Sequence, residues 1–156
     1  MISADRTARG QSASIDFEFD LPHPPQKVWR ALTIPEYLAE WLLPVAGLDL
    51  APGTKFTFQA PPVGVWDGVV HCRMLECEPL RKLSYTWVVG EMDTVVTFTL
   101  EPTPTGTRLL LHHTGFTPAQ KQNFGGARYG WRLMGERLVD LLARSDWPAR
   151  DGKESR

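Results

Sequence analysis

The sequence predicts an α+β domain: a curved antiparallel sheet of about six or seven strands wrapped around a long C-terminal helix, with two short helices after the first strand. Three observations carry this expectation. Apolar residues alternate with polar ones in several short runs separated by tight turns, as in strands with one buried face. A proline-punctuated stretch after the first run switches to helical spacing. The stretch 124–144 carries a long apolar stripe at the helical period, and nothing before it does.

The elements follow in order. Residues 1–14 are small, polar and charged and are expected to be a loose tail. Ile15, Phe17, Phe19 and Leu21 alternate with Asp16, Glu18 and Asp20, a half-buried strand. Pro22, Pro24 and Pro25 end it, because proline cannot donate to a ladder, and they suit the first turn of a helix running to about Leu32. Pro35 opens a second short helix through Leu43, stopped by Pro44. Pro52–Gly53 is a turn, and 55–59 alternates with Phe56 and Phe58 on one face. A long strand is expected from about Trp66 to Glu76, closed by Pro79.

Next, Leu83, Tyr85 and Trp87 share a face, and a hairpin turn falls at 90–93. Val96, Phe98 and Leu100 line one side of the following strand, and Leu109, Leu111 and His113 one side of the last. In the terminal helix Phe124, Trp131, Met134, Leu138, Leu141 and Leu142 form the stripe. Its start is open: Gly125, Gly126 and Gly130 each cost about 1 kcal/mol relative to alanine, so it begins either before them or near Tyr129. Residues 145–156 read as a second tail, with Trp147 able to pack back. The domain is thus expected over 15–144.

Short connections imply a meander, and a sheet of this size twists and curls. The amphipathic helix has the concave face on which to bury its stripe. Helix on curved sheet leaves a wedge, with room for a guest between Trp131 and the Phe98 strand, and the two short helices close one end.

Composition narrows the function classes. With 42% hydrophobic and 22% charged residues and a net charge of −1, nothing marks the chain for nucleic acid or an acidic membrane. No run is apolar enough for a bilayer span or a secretory signal, so a cytoplasmic protein is expected. Cys72 and Cys77, five apart on one strand, should point to opposite faces as free thiols. Six tryptophans is a rich supply for 156 residues and suits an interior framed by stiff rings.

The order of elements, with 24-PPQKVWRALTIPEYLAEW-41, 75-LECEPLRKLSYTW-87, 95-VVTFTLEPTPTGTRLLLHHTGF-116 and 130-GWRLMGERL-138, resembles the helix-grip (START-like, SRPBCC) superfamily. Within it the chain is similar to the activator of heat-shock protein 90 ATPase homologue family, over about Ile15 to Arg144. The resemblance implies a fold that holds lipids, steroids, polyketides and other hydrophobic molecules under its long helix, some members being cyclases or hydrolases. The co-chaperones that name the family join this domain to another N-terminal one, so their ATPase stimulation is not carried over as this chain's activity.

Common chemistries find no support. Phosphate-binding loops and the nucleophile elbow are absent, and 125-GGARYG-130 has the wrong spacing. His112 and His113 are neighbours on one strand, face opposite ways, and cannot readily chelate one ion. No metal, cofactor or catalytic residue is therefore assigned. The expected cavity lining is Phe56, Phe58, Trp66, Tyr85, Trp87, Phe98, His113, Trp131 and Met134, and the expected partner a small hydrophobic ligand. An enzyme of the cyclase or hydrolase type, with His113 and Tyr85 as acid–base groups, is the alternative. Homodimerisation stays open, and a chaperone partner rests on the family resemblance alone.

Overall fold

A computed structural model describes residues 3–144, with side chains from Asp5 onward. One antiparallel sheet runs in the order β1-β2-β8-β7-β6-β5-β4-β3. The strands are β1 (Ser3–Asp5), β2 (Ser14–Leu21), β3 (Val45–Ala46), β4 (Lys55–Gln59), β5 (Val69–Glu78), β6 (Lys82–Val89), β7 (Met92–Thr103) and β8 (Gly106–Thr114). Helices α1 (Pro25–Thr33) and α2 (Pro35–Trp41) follow β2, and α3 (Lys121–Leu142) ends the fold. Six strands have five or more residues; the two beyond them, β1 and β3, are short pieces at the two edges, and short edges limit unwanted strand pairing.

The alternation read from sequence is the burial pattern of the sheet. In β2 the residues Ile15, Phe17, Phe19 and Leu21 are buried, and in β7 Thr94, Val96, Phe98 and Leu100. Prolines occupy the first positions of both α1 and α2, where a missing N–H costs nothing. The indole Nε1 of Trp41 donates to Ala31 O at 2.8 Å and fastens α2 to α1. Lys27 on α1 donates from Nζ to Leu142 O at 2.6 Å, placing a cation on the free carbonyls at the end of α3.

Four expectations shift, and one open point is decided. Ser3–Asp5, within the segment expected to be loose, pairs with Phe17–Phe19 of β2, and Arg128 on α3 donates to Asp5 Oδ2 at 2.6 Å. The second helix ends at Trp41 rather than Leu43, since the backbone at Leu42 has already left helical geometry. The long central strand begins at Val69, not Trp66, because residues 60–68 close a hairpin of their own. A bulge between Met74 and Glu76 re-aims the end of β5, so Cys77 lies opposite Leu83 on the concave side with Cys72, rather than on the other face. Both cysteines are free, and burial pushes the Cys72 thiol up to about 12, an inert group at neutral pH. Finally, α3 starts at Lys121 and contains all three glycines. Its entry is held by Gln120, which accepts from Thr117 N at 3.0 Å and donates to Glu91 O at 3.1 Å. The C-terminal tail 145–156, with Trp147, lies outside the described residues.

Candidate functional site

The stripe of α3 lies on the concave face. Phe124, Trp131, Gly135, Leu138, Leu141 and Leu142 are its buried residues. Gly135 is where the helix comes closest to the sheet: a Cβ there would stand 2.6 Å from Phe19 Cε1 and 2.7 Å from Cζ. This contact sets the helix height, and hence how far Trp131, one turn earlier, reaches toward the strands.

Seven of the nine expected lining residues meet in one ring cluster. Phe56 touches Phe58 and Tyr85 at centroid distances of 5.8 and 5.2 Å; Phe58 meets Trp87 at 5.4 Å and Tyr85 meets Phe98 at 6.3 Å. Trp131 packs on Trp87 at 5.6 Å, Phe98 at 6.0 Å and His113 at 5.9 Å. The room expected between Trp131 and the Phe98 strand is therefore closed by those two rings, and the indole is 1% exposed. Met134 is half-buried at the margin of the core. Trp66 is not in the cluster: it precedes β5, its Nε1 donates to Val69 O at 3.0 Å, and it walls a groove opening on the outer side of the sheet.

Inside the cluster runs a hydrogen-bonded chain. Trp131 Nε1 donates to His113 Nδ1 at 2.9 Å, His113 Nε2 meets Thr94 Oγ1 at 2.7 Å, and Thr94 Oγ1 lies 2.6 Å from Trp87 O. The donors fix the protonation state. An indole N–H can only donate, so His113 Nδ1 is bare, Nε2 carries the hydrogen and gives it to Thr94, and the threonine hydroxyl gives its own to the carbonyl. Every polar atom in this buried chain is satisfied, and α3 is tied to β8, β7 and β6. Thr94 is not among the residues the sequence singles out, though it stands two residues before Val96 on the same face of its strand; a lone threonine at an apolar position is the signal for it.

Burial, with a smaller contribution from His112, lowers the His113 pKa to about 3. The neutral ring is the one that fits the chain. Because the folded pKa lies below the unfolded value near 6.5, this group's stabilisation is complete above that value and lost as pH falls toward 3. We expect the unfolding free energy to fall by up to about 1.4 kcal/mol per pH unit through that window from this residue alone. Denaturant titrations at several pH values, compared with a His113→Phe variant that lacks the slope, check it.

Tyr85 is different. It is 2% exposed and makes no side-chain hydrogen bond among the described residues, but its hydroxyl is not one of the fully buried unpaired atoms, so the oxygen keeps a little contact with solvent. Burial, and secondarily Cys72, holds its pKa well above the ordinary phenol value, so it stays a neutral donor. His113 and Tyr85 both lie opposite Val96, on the strands either side of it. They are two strand spacings apart, about 10 Å, and do not converge on one atom.

Other chemistry is not assembled. His112 points outward, as expected, and pairs with Asp16 Oδ1 at 2.6 Å. Among the described residues no three histidine, cysteine or acidic side chains are grouped to hold a metal ion, and no helix is long and apolar enough to cross a membrane.

Comparison with known proteins sets this geometry in context. The family model described as Activator of Hsp90 ATPase homolog 1-like protein matches residues 22–143. Protein MLL2253 from Mesorhizobium loti is 41% identical, with a TM-score of 0.79 over 85% of this chain and 98% of that one. CalU16 from Micromonospora echinospora is 26% identical, with a TM-score of 0.70 over 97% of this chain and 92% of its own. Protein CV1439 from Chromobacterium violaceum is also 26% identical, at 0.68 over 86% and 100%. Among curated proteins none matches the chain.

Proposed function

The chain belongs to the Activator of Hsp90 ATPase homolog 1-like family, and from that premise we propose that it binds a small hydrophobic, ring-bearing molecule carrying one hydrogen-bonding group, between the concave face and α3. The observation that carries this reading is the Tyr85 hydroxyl. It is a polar atom on the concave ring surface that no described protein group pairs and that solvent can still reach. A guest that offers an oxygen or nitrogen to Tyr85 takes the place of solvent at that hydroxyl and lays its apolar body on Phe56, Phe58 and Phe98. The unliganded rings fill the space themselves, so binding is coupled to their parting. The half-buried Leu48 and Leu50, in the segment between β3 and β4, and Met134 on α3 are the pieces of cover that can move with least loss.

The acid–base alternative has less behind it. Both ring nitrogens of His113 are committed, its pKa near 3 leaves it a poor base, and Tyr85 stands about two strands away. Binding without catalysis is the reading the polar groups favour.

Tyr85→Phe tests it, because the two possible roles of the hydroxyl move opposite ways. If the group serves a guest, its removal leaves stability within about 0.5 kcal/mol of the parent while weakening binding about 5- to 30-fold. Tryptophan fluorescence titrations with a fatty acid, a flavonoid and an aromatic polyketide supply the affinity, and urea unfolding the stability. Silence of the wild-type protein across all three probes, or a Tyr85→Phe variant that unfolds more easily than the parent, overturns the proposal.

A further inference from the structure

The outer side of the sheet carries an apolar surface that the ring cluster does not explain. Residues 60–68 fold back as an arm: Ala60 N donates to Gly68 O at 2.7 Å, and Val63 and Trp66 exchange backbone hydrogen bonds at 3.1 and 2.9 Å. The arm is rigid at its root. Gly68 has φ +86°, and a Cβ there would lie 2.0 Å from Ala60 O, so only glycine fits. Asp67 Oδ1 accepts from Val69 N at 3.0 Å, and the Trp66 indole is pinned to Val69 O. What this stiff arm presents is not polar: Val65 is fully exposed and Val63 is 67% exposed. Between arm and sheet lies a groove of about 520 Å³ lined by Val65, Trp66, Val69, Val88 and Val89, with Asp67 and His71 at its sides. Single exposed valines are ordinary on a protein surface, but five apolar residues lining one groove, a tryptophan among them, are not.

The charge around it selects the occupant. Asp67 lines the groove, Asp93 stands directly across the ladder from Val88, and Glu91 sits in the adjoining turn. None of these three carboxylates forms an ion pair among the described residues. The cations of β4 and β5, Lys55 and Arg73, stand opposite one another in the ladder, two residues beyond His71. We propose that the groove docks a protein segment in which an apolar side chain is flanked by lysine or arginine: the apolar group enters against Trp66 and Val88, and the cations meet Asp67, Glu91 and Asp93. The preformed arm removes the ordering cost that a flexible loop would incur on binding. Such a site is separate from the concave face and does not depend on the ligand proposed for it.

The test is nuclear magnetic resonance of the ¹⁵N-labelled full chain titrated with three synthetic peptides: one with a phenylalanine–leucine pair flanked by lysines, one with glutamates replacing the lysines, and one with serines replacing the apolar pair. The lysine peptide is expected to shift the amide signals of Val69, Val88 and Val89 and the Trp66 indole signal, and the other two are not. Asp93→Lys should weaken that binding at least about fivefold, as should raising salt from about 0.05 to about 0.5 M. Val65→Asp, at a fully exposed position, should also weaken it with the fold intact by circular dichroism. The proposal is overturned if the lysine peptide shifts nothing at millimolar concentration, shifts signals elsewhere, or is matched by the glutamate peptide. It is equally overturned if the same signals move with protein concentration alone, since a second copy would then be the occupant.

Discussion

Trp131→Ala is expected to destabilise the protein by about 4–6 kcal/mol, enough to unfold a large fraction of a domain of ordinary stability. Two losses add. Removing the indole leaves a void bordered by Trp87, Phe98 and His113, which cannot collapse because each is held by its own strand. Removing the N–H also strands His113 Nδ1 in a buried site with no other donor, at about 1–3 kcal/mol. Trp131→Phe separates the two: it keeps most of the ring and loses only the donor, so about 1–3 kcal/mol is expected. A double-mutant cycle with His113→Phe, read by urea unfolding, should give a coupling above about 1 kcal/mol. A coupling near zero would mean that the chain from helix to sheet contributes nothing beyond packing.

The second large effect concerns a residue with no side chain. Gly135→Val is expected to cost about 3 kcal/mol, because the new atoms would enter the Phe19 ring. That ring is buried and stacked on Phe17 at 6.0 Å with planes 11° apart, so turning it away breaks that stack. The helix must lift, and lifting it draws Trp131 off His113. Gly126→Ala in the same helix should do the reverse: a Cβ there meets open space, and alanine is favoured over glycine in a helix by about 1 kcal/mol. Thermal unfolding of the two variants, with Phe19→Leu added to the first as a rescue, compares them directly. If Gly135→Val melts with the parent, the close approach is not what positions α3.

Both effects were only half visible in the amino-acid sequence. Trp131 and His113 were both placed on inward faces, one by the 3.6 period and the other by alternation, and both are there. Their hydrogen bond could not be read, since it depends on helix height and rotation, and those depend on Gly135 meeting Phe19 across 116 positions of chain. Thr94 was legible in principle from its parity with Val96. Trp66 falls outside the strand that alternation predicts for it, because an alternating run does not reveal that Val63 and Trp66 bond to each other and delay the strand.

The sequence by itself determined the element order, the buried face of nearly every strand and helix, and the absence of the familiar nucleotide, hydrolase and metal motifs. These follow from local periodicity and side-chain chemistry, which act over a few residues. Tertiary structure alone decided whether the inward rings leave a gap or close it, which polar groups in the core are satisfied, and that an apolar groove opens on the opposite side of the sheet. Each of those turns on ångström-scale distances between elements far apart in the chain, and no periodicity encodes them.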